Sequence, residues 1–305
     1  DTGARVPNHS GGHENLEAIE FLKHSNSIMK ERGKGAVLIA EESTAWPKVT
    51  AAPKENGLGF TFKWNMGWMH DFLEYMKQDP YFRKYNHHRM TFGLTYFTSE
   101  KYILVLSHDE VVHLKCSMIN KMPGFQTDKF ANLKAGYTFM LGHPGKKLLF
   151  MGQDFGQYHE WDEKVALDWY LAEEPLNSGL QSYVRDLLHL YKKYPCLYEQ
   201  DYDWDGFQWI NANDGDRSIF SFVRFSRDHR HSLLFVINFT PMARPDYRVG
   251  VPKKGSYTLV LDNLHGMYRR GDKAPVFRSL KRECDGRDYS IGYSLPPYGT
   301  AVFRF

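Results

Sequence analysis

The most informative segment of this sequence reads YILVLSHDE and occupies residues 102–110. Its first five residues are apolar or aromatic, and polar and acidic residues follow at once. A short run that is apolar throughout is typical of a strand buried on both faces in a parallel sheet. Asp109 and Glu110 would then follow the carboxyl end of that strand, where α/β barrels place their functional side chains.

Similar runs recur through the first 200 residues. We predict further strands at residues 36–40, 60–64 and 147–151. The spacing of apolar residues predicts helices from about residue 16 to Gly33, at 68–77, at 130–141 and around 184–191. Four strand–helix units amount to half of a (β/α)8 barrel. An open doubly wound sheet is the alternative, although the sequence contains no glycine-rich phosphate loop that would support it.

The pattern changes near residue 200. Strands are predicted at 219–225, 233–239, 257–261 and 301–305, separated by Gly, Pro, Asn and Asp turns and without helical periodicity between them. We therefore predict two domains: an α/β domain over residues 1–200 and an antiparallel β-sandwich over residues 201–305.

Composition narrows the class of function. The formal net charge is +3 and dense Lys/Arg blocks are absent from the sequence, so we expect no nucleic-acid partner. No apolar run approaches the roughly 20 residues that cross a membrane, so we expect no membrane partner. Aromatic residues reach 15%, which favours carbohydrate binding, although large cores also use aromatic residues heavily. Three widely spaced cysteines favour a reducing compartment, and we expect a cytoplasmic protein.

Acidic residues follow two of the predicted strands. Glu41 and Glu42 follow the first strand, and Asp109 follows the strand at 102–106. Because side chains alternate along a strand, only one of the two glutamates can face a cleft shared with Asp109. Two carboxylates on one cleft are what glycosidic-bond chemistry requires. The alternative is that these acids cap the helices that follow.

A metal site is the other chemistry to consider in this region. His108, Glu110 and His113 have ligand-type side chains, but the two histidines lie five residues apart near a strand end. The zincin motif places its histidines four apart on a helix. We therefore expect no catalytic metal.

Several segments together resemble one family. The stretches AEESTAWP at 40–47 and LSHDEVVH at 106–113 resemble signature regions of the bacterial glycogen branching enzymes, which belong to the α-amylase superfamily. The segments 59–71, 120–124 and 143–152 are similar to this family as well. The resemblance implies the second half of a (β/α)8 TIM barrel followed by a C-terminal antiparallel β-sandwich. It also implies an enzyme that cleaves an α-1,4-glucan chain and transfers it to a 6-hydroxyl, with no cofactor and no metal.

The resemblance assigns roles to individual residues. Glu41 resembles the general acid/base, a role that calls for a partly buried carboxyl. Asp109 resembles the acid that stabilises the transition state, and His108 resembles a histidine that hydrogen-bonds the same sugar. Trp46 and Trp64 are expected to hold the glucan.

The nucleophile is expected to be absent from this chain. A retaining mechanism needs a second carboxylate about 5 Å from the acid/base, and the family places it on a strand before the one that ends at Glu41. Asp1 matches no catalytic position of the family. We therefore expect a fragment that has no branching activity alone. Two other functions stay open: a non-catalytic α-glucan-binding protein and an amylase-type hydrolase.

Two residues depart from the family pattern after His113. Family members usually have small residues where this chain has Leu114 and Cys116. Leu114 either alters an acceptor subsite or packs against the protein. Cys116 is either a reactive thiol beside the cleft or a buried, unreactive thiol, and we expect the second.

Overall fold

The computed structural model describes residues 7–269 and 271–305. Residues 7–200 contain five α-helices and four short strands. In chain order these are α1 (Leu16–Arg32), β1 (Ile39–Ala40), β2 (Phe62–Trp64), α2 (Met66–Lys77), α3 (His88–Phe92), β3 (Tyr102–Leu106), α4 (Gln126–Gly142), β4 (Lys146–Leu149) and α5 (Pro175–Lys193).

The strands β1 to β4 form one parallel sheet in the order β1-β2-β3-β4. The pairs Ile39–Phe62, Trp64–Ile103 and Leu106–Leu149 fix its register. Parallel neighbours must be joined by a crossover. Helices α2 and α3 lie in the connection from β2 to β3 and α4 in that from β3 to β4, whereas the described segment between β1 and β2 contains only the 3-10 turn Pro53–Glu55. The predicted order of strands and helices is therefore observed in this part of the chain.

The prediction for residues 36–40 is wrong in one respect. Only Ile39–Ala40 pairs as a strand, and it is not buried on both faces. Val37 is 55% exposed and Ile39 is 45% exposed. The physical reason is the position of β1 at the edge of the sheet, where β2 is its partner within the described residues.

Helix α2 begins earlier than the apolar spacing predicts, because polar residues define its start. The Asn65 side chain accepts a hydrogen bond from the backbone N–H of Trp68 at 2.9 Å, which caps the first turn. Trp68 then stacks on Phe72, with ring centroids 4.8 Å apart. Gly136 of α4 lies so close to α2 that an added Cβ would stand 2.7 Å from Cε of Met76. The absence of a side chain at Gly136 thus leaves room for the buried Met76 and Phe72 side chains of α2.

The remainder of the chain is all β, as predicted. Its strands are β5 (Phe207–Asn211), β6 (Ile219–Arg224), β7 (Leu233–Asn238), β8 (Arg244–Val251), β9 (Ser256–Asp262), β10 (Gly266–Met267), β11 (Val276–Arg278), β12 (Tyr289–Leu295) and β13 (Thr300–Arg304). A larger antiparallel sheet has the order β10-β9-β13-β7-β6-β5, with β11 on β9, and β8 pairs with β12 in a second sheet. Apolar residues of both sheets share one core, so the arrangement is a sandwich.

The α/β part and the β part also share a core. Phe220, Phe222 and Phe235 of the β part belong to the same apolar cluster as residues of α2, α4 and α5. Arg224 of β6 pairs with Asp201 at 2.8 Å and donates to the carbonyl oxygen of Gly142 at 2.9 Å. The division at residues 200 and 201 stays a prediction, since a continuous core crosses it.

Candidate functional site

The candidate site lies where the four parallel strands end. Parallel strands present their carboxyl ends at one edge of the sheet. The first residues beyond the four ends are Glu41, Asn65, Ser107 and Phe150. Neighbouring strands lie about 4.8 Å apart, so β1 and β3, on either side of β2, are separated by about 10 Å. The topology therefore brings the predicted acidic segments to the same edge of the sheet.

Glu41 and Glu42 have different surroundings. Glu41 is exposed, so the partial burial expected for an acid/base is not provided by the described residues. By strand alternation and the register of β1 on β2, Glu41 shares a face of the sheet with Ile39 and Trp64. Glu42 lies on the opposite face.

Glu42 is held by an ion pair on that opposite face. Lys63 of β2 donates from Nζ to Oε2 of Glu42 at 2.8 Å and to the carbonyl oxygen of Thr44 at 3.1 Å. The Thr44 N–H donates to the other carboxylate oxygen at 2.8 Å. Burial alone would raise the pKa of Glu42, but these hydrogen bonds and the ammonium charge outweigh burial and lower it. Glu42 is thus an ionised group that orders the loop after β1.

His108 and Asp109 form a pair directly beyond β3. Residues His108–Glu110 make one turn of 3-10 helix, and His108 Nε2 lies 3.1 Å from Oδ1 of Asp109. Their side chains are 44% and 42% exposed, so both can contact a solute. The ring of Phe150, beyond β4, lies 5.8 Å from the His108 ring. An imidazole and a carboxylate in this arrangement can hydrogen-bond neighbouring hydroxyls of a sugar.

Trp46 and Trp64 line one cavity of about 540 Å³. Glu42 and Lys63 line it too, as do Asp71 and Tyr96. Trp46 also packs against a small apolar cluster formed by Ala40, Val49 and Leu58 with their neighbours. Among the described residues, neither Glu41 nor the His108–Asp109 pair lines this cavity. The structure therefore brings together the two tryptophans with Glu42, and His108 with Asp109, in two groups.

Sequence reasoning missed the role of Lys63. Its side chain is 6% exposed, within a strand that is otherwise apolar or aromatic. A buried lysine needs a partner, so a lysine in the run FTFKW at 60–64 was the available signal for a nearby acid. Asp71 and Tyr96 gave no such signal, because their positions on the cavity depend on the path of α2 and the segment after α3.

Two further observations concern the described part of the chain. Within residues 7–269 and 271–305, no group of three or more His, Cys, Asp or Glu residues is arranged to hold a metal ion. None of the helices described there has both the length and the apolar character that a bilayer crossing demands.

Comparisons with known proteins place this geometry in context. Residues 209–305 match the family described as the α-amylase C-terminal all-β domain. A 1,4-alpha-glucan branching enzyme, GlgB, of Butyrivibrio fibrisolvens is 58% identical over 99% of this chain and 48% of its own length. The GlgB of Pseudomonas fluorescens strain Pf-5 is 48% identical over 99% of this chain and 41% of its own length.

A solved structure shows the same fold. The crystal structure of an α-amylase from H. orenii superimposes with a TM-score of 0.61 at 16% identity, covering 100% of this chain and 59% of the amylase. The chain spans less than half the length of the two curated relatives. Over its length, the chain is similar to part of the 1,4-alpha-glucan branching enzymes, and residues 209–305 match the C-terminal all-β domain of α-amylases.

Proposed function

We propose that this chain forms part of a 1,4-α-glucan branching enzyme, which cleaves an α-1,4-glucan and transfers the released chain to a 6-hydroxyl, as in glycogen synthesis. The observation that supports this most strongly is the 58% identity to such an enzyme over nearly the whole chain. The position of Glu41 and the His108–Asp109 pair at one edge of a parallel sheet is consistent with this activity.

The proposed chemistry is a retaining double displacement. Glu41 gives its proton to the leaving glycosidic oxygen while a carboxylate nucleophile forms a bond to the anomeric carbon. In the second step the acceptor 6-hydroxyl attacks that carbon, the bond to the nucleophile breaks, and Glu41 takes the hydroxyl proton. Asp109 and His108 hold hydroxyls of the reacting sugar as positive charge develops on it.

We propose that residues 1–200 are the second half of a (β/α)8 barrel and that residues 201–305 are its C-terminal sandwich. In support, the described parallel sheet has two open edges, at β1 and β4. Ile39 is exposed at one edge, and an apolar cavity of about 410 Å³, which Leu149 and Phe150 help to line, lies beside the other. Exposed apolar surface of this kind is expected where further protein packs.

The glucan is the proposed partner, and the cavity beside β2 is its proposed second contact. Trp46 and Trp64 offer aromatic faces, and Asp71 and Glu42 offer hydrogen-bond acceptors for hydroxyls. A pyranose has apolar ring faces, which stack on aromatic rings, and hydroxyl groups at its rim, which donate hydrogen bonds to carboxylates. Because Glu41 does not line this cavity, bound sugar there would lie beyond the cleaved bond.

The test uses the chain at two lengths. The 305-residue chain should form no α-1,6 linkages alone, because no residue in it matches the nucleophile. Joined to the segment that precedes the matched region in the Butyrivibrio relative, it should form them. Glu41→Gln in that fusion should lower turnover about 10²–10⁴-fold and keep glucan binding, whereas Glu17→Gln, on the exposed face of α1, should change neither.

The alternatives give different products. New reducing ends without α-1,6 linkages would indicate a hydrolase, and binding without turnover in the unmodified fusion would indicate a glucan-binding protein. Normal branching by the 305-residue chain alone would contradict the proposal that it lacks the nucleophile.

A further inference from the structure

The loop after Asp109 has an unusual backbone. His113, Leu114 and Cys116 have φ angles of 56°, 66° and 68°. The left-handed region costs a residue with a side chain roughly 1–2 kcal/mol. Such conformations persist only where the surrounding structure fixes them. Some contact must therefore hold residues 113–116 in place.

Glu160, in the loop after β4, provides that contact. Its Oε2 accepts the N–H of Leu114 at 2.9 Å, and its Oε1 accepts the N–H of Cys116 at 2.6 Å. Backbone amides in such conformations form a concave site for an anion, and here the carboxylate of Glu160 occupies it. Hydrogen bonds to an ionised group are about twice as strong as neutral ones.

The next residue ties the same loop to the predicted site. The Trp161 N–H donates to the carbonyl oxygen of Val111 at 3.0 Å. Its ring meets Phe150 edge to face at 5.2 Å, and Phe150 contacts the ring of His108. The loop after β4 therefore fixes both the loop 113–116 and the surroundings of the His108–Asp109 pair.

We infer that Glu160 is a positioning residue that holds Leu114 at the rim of the glucan cleft, by which we mean the proposed binding site around Glu41 and the His108–Asp109 pair. Through Leu114, Glu160 governs the choice of acceptor chain. This inference rests on the proposed branching function. Leu114 is 95% exposed, so it does not pack against this chain. It follows Asp109 by five residues in the sequence. An apolar side chain held at that rim contacts the apolar faces of sugar rings beyond the reacting one.

The first test uses the 305-residue chain and measures hydrogen exchange at individual amides. Glu160→Ala should speed exchange of the Leu114 and Cys116 amides by about tenfold or more, which corresponds to about 1.4 kcal/mol. Glu160→Gln, which keeps one acceptor oxygen, should give a smaller increase. Glu163→Ala, a nearby exposed acid, should leave both amides unchanged. Unchanged exchange in Glu160→Ala would overturn the inference.

The second test uses the fusion to the Butyrivibrio segment and amylose as substrate. Glu160→Ala should raise KM several-fold with a smaller change in kcat and should alter the lengths of the transferred chains. Leu114→Ala, which leaves the Glu160 contact in place, should alter those lengths in the same direction. Products identical to the unmodified fusion in both variants would overturn the role in acceptor choice.

The two proposals fail in different ways. If the unmodified fusion forms no α-1,6 linkages, the branching function fails and the acceptor role fails with it, while hydrogen exchange still decides whether Glu160 holds the loop. If the unmodified fusion branches normally and both variants match it, only the acceptor role is wrong.

Discussion

Lys63 illustrates how one buried charge organises the start of the site. Its ammonium group contacts the Glu42 carboxylate and the Thr44 carbonyl oxygen, so it connects β2 to the loop that leads to Trp46. A long apolar stem lets lysine cross a buried region while its charge reaches a partner. The conformation of the loop 42–46 therefore depends on an ion pair as well as on apolar contacts.

Replacing that lysine should weaken the fold measurably. Lys63→Met keeps the length of the side chain but leaves the Glu42 carboxylate without its cation. We expect the free energy of unfolding to fall by about 1–3 kcal/mol, as measured by urea denaturation. Lys54→Met, at an exposed lysine, is the control and should change stability by less than about 0.5 kcal/mol. Equal effects of the two variants would contradict this account of Lys63.

In the loop 113–116, glycine should stabilise the fold at the positions that have a positive φ. Leu114→Gly and Cys116→Gly should each raise the free energy of unfolding by about 0.5–1 kcal/mol, because glycine adopts a positive φ without a steric cost. Lys115→Gly, between them, should lower it, since Lys115 is not among the residues with positive φ. Thermal denaturation of the three variants compares them directly. Stabilisation by all three, or by none, would show that φ is not the cause.

At the scale of secondary-structure elements, Asn65 joins the sheet to its helix. Its Oδ1 accepts the Trp68 N–H and the hydroxyl of Tyr96, at 2.9 and 3.2 Å. The residue thus caps α2 and fixes Tyr96 at the cavity shared by the two tryptophans. Helix position and cavity shape are coupled through one amide side chain.

Removing this cap should destabilise α2. Asn65→Ala should lower the free energy of unfolding by about 0.5–2 kcal/mol, the usual range for a lost helix cap. Asn65→Asp keeps an acceptor oxygen and should recover most of that loss. Urea denaturation gives both values. A similar loss in the aspartate variant would show that the contact with the Trp68 N–H is not what matters.

A strand or helix could be predicted from the sequence where its own residues show a clear hydrophobic pattern. The run at 102–106 is a strand with the bounds expected, because it is central in the sheet and apolar throughout. The prediction of a strand buried on both faces at 36–40 was wrong, because burial at a sheet edge depends on which strands pack beside it. Strands such as β8 and β12 were missed because their alternation is weak and long-range pairing defines them.

The site could be predicted only in part, because some of its contacts join residues that are far apart in the sequence. The residues beyond the strand ends followed from the order of the strands along the chain. The association of Trp46 and Trp64 with Glu42 rather than Glu41 depends on the path of the loop after β1 and on the contact between Lys63 and Glu42. The Glu160 contact joins residues more than 40 positions apart, and spacing in the sequence does not reveal it.

At the scale of the whole molecule, a buried ion pair joins the two parts. Arg224 and Asp201 are both fully buried, and Lys146 adds a second contact to Asp201 at 2.8 Å. Burial alone would raise the pKa of Asp201, but Arg224, Lys147 and Lys146 outweigh burial and lower the pKa to about 2. Asp201 therefore stays ionised in the folded protein well below neutral pH.

This shift predicts how stability depends on pH. The folded pKa of Asp201 lies below the unfolded one, so its contribution is fully present above about pH 4 and is lost as pH falls towards 2. At pH 7, Asp201→Asn should lower the free energy of unfolding by about 3–5 kcal/mol, because Arg224 is left buried without its partner. The difference from the unmodified chain should shrink below pH 4.

A matched variant checks the assignment to the buried pair. Asp203→Asn alters an exposed aspartate two residues away, where asparagine caps equally well. It should leave both the stability at pH 7 and its acid profile unchanged. A difference from Asp201→Asn that stayed constant down to pH 2 would contradict the ionised state of Asp201.

Gly142 ends α4 against the rings of Phe222 and Phe235, where an added Cβ would come within 2.9 Å of both. Deleting the sandwich would expose these rings and the surface they cover, and an isolated α/β part would be prone to self-association. Engineering that swaps sandwiches between relatives must therefore transplant the aromatic contacts along with the strands.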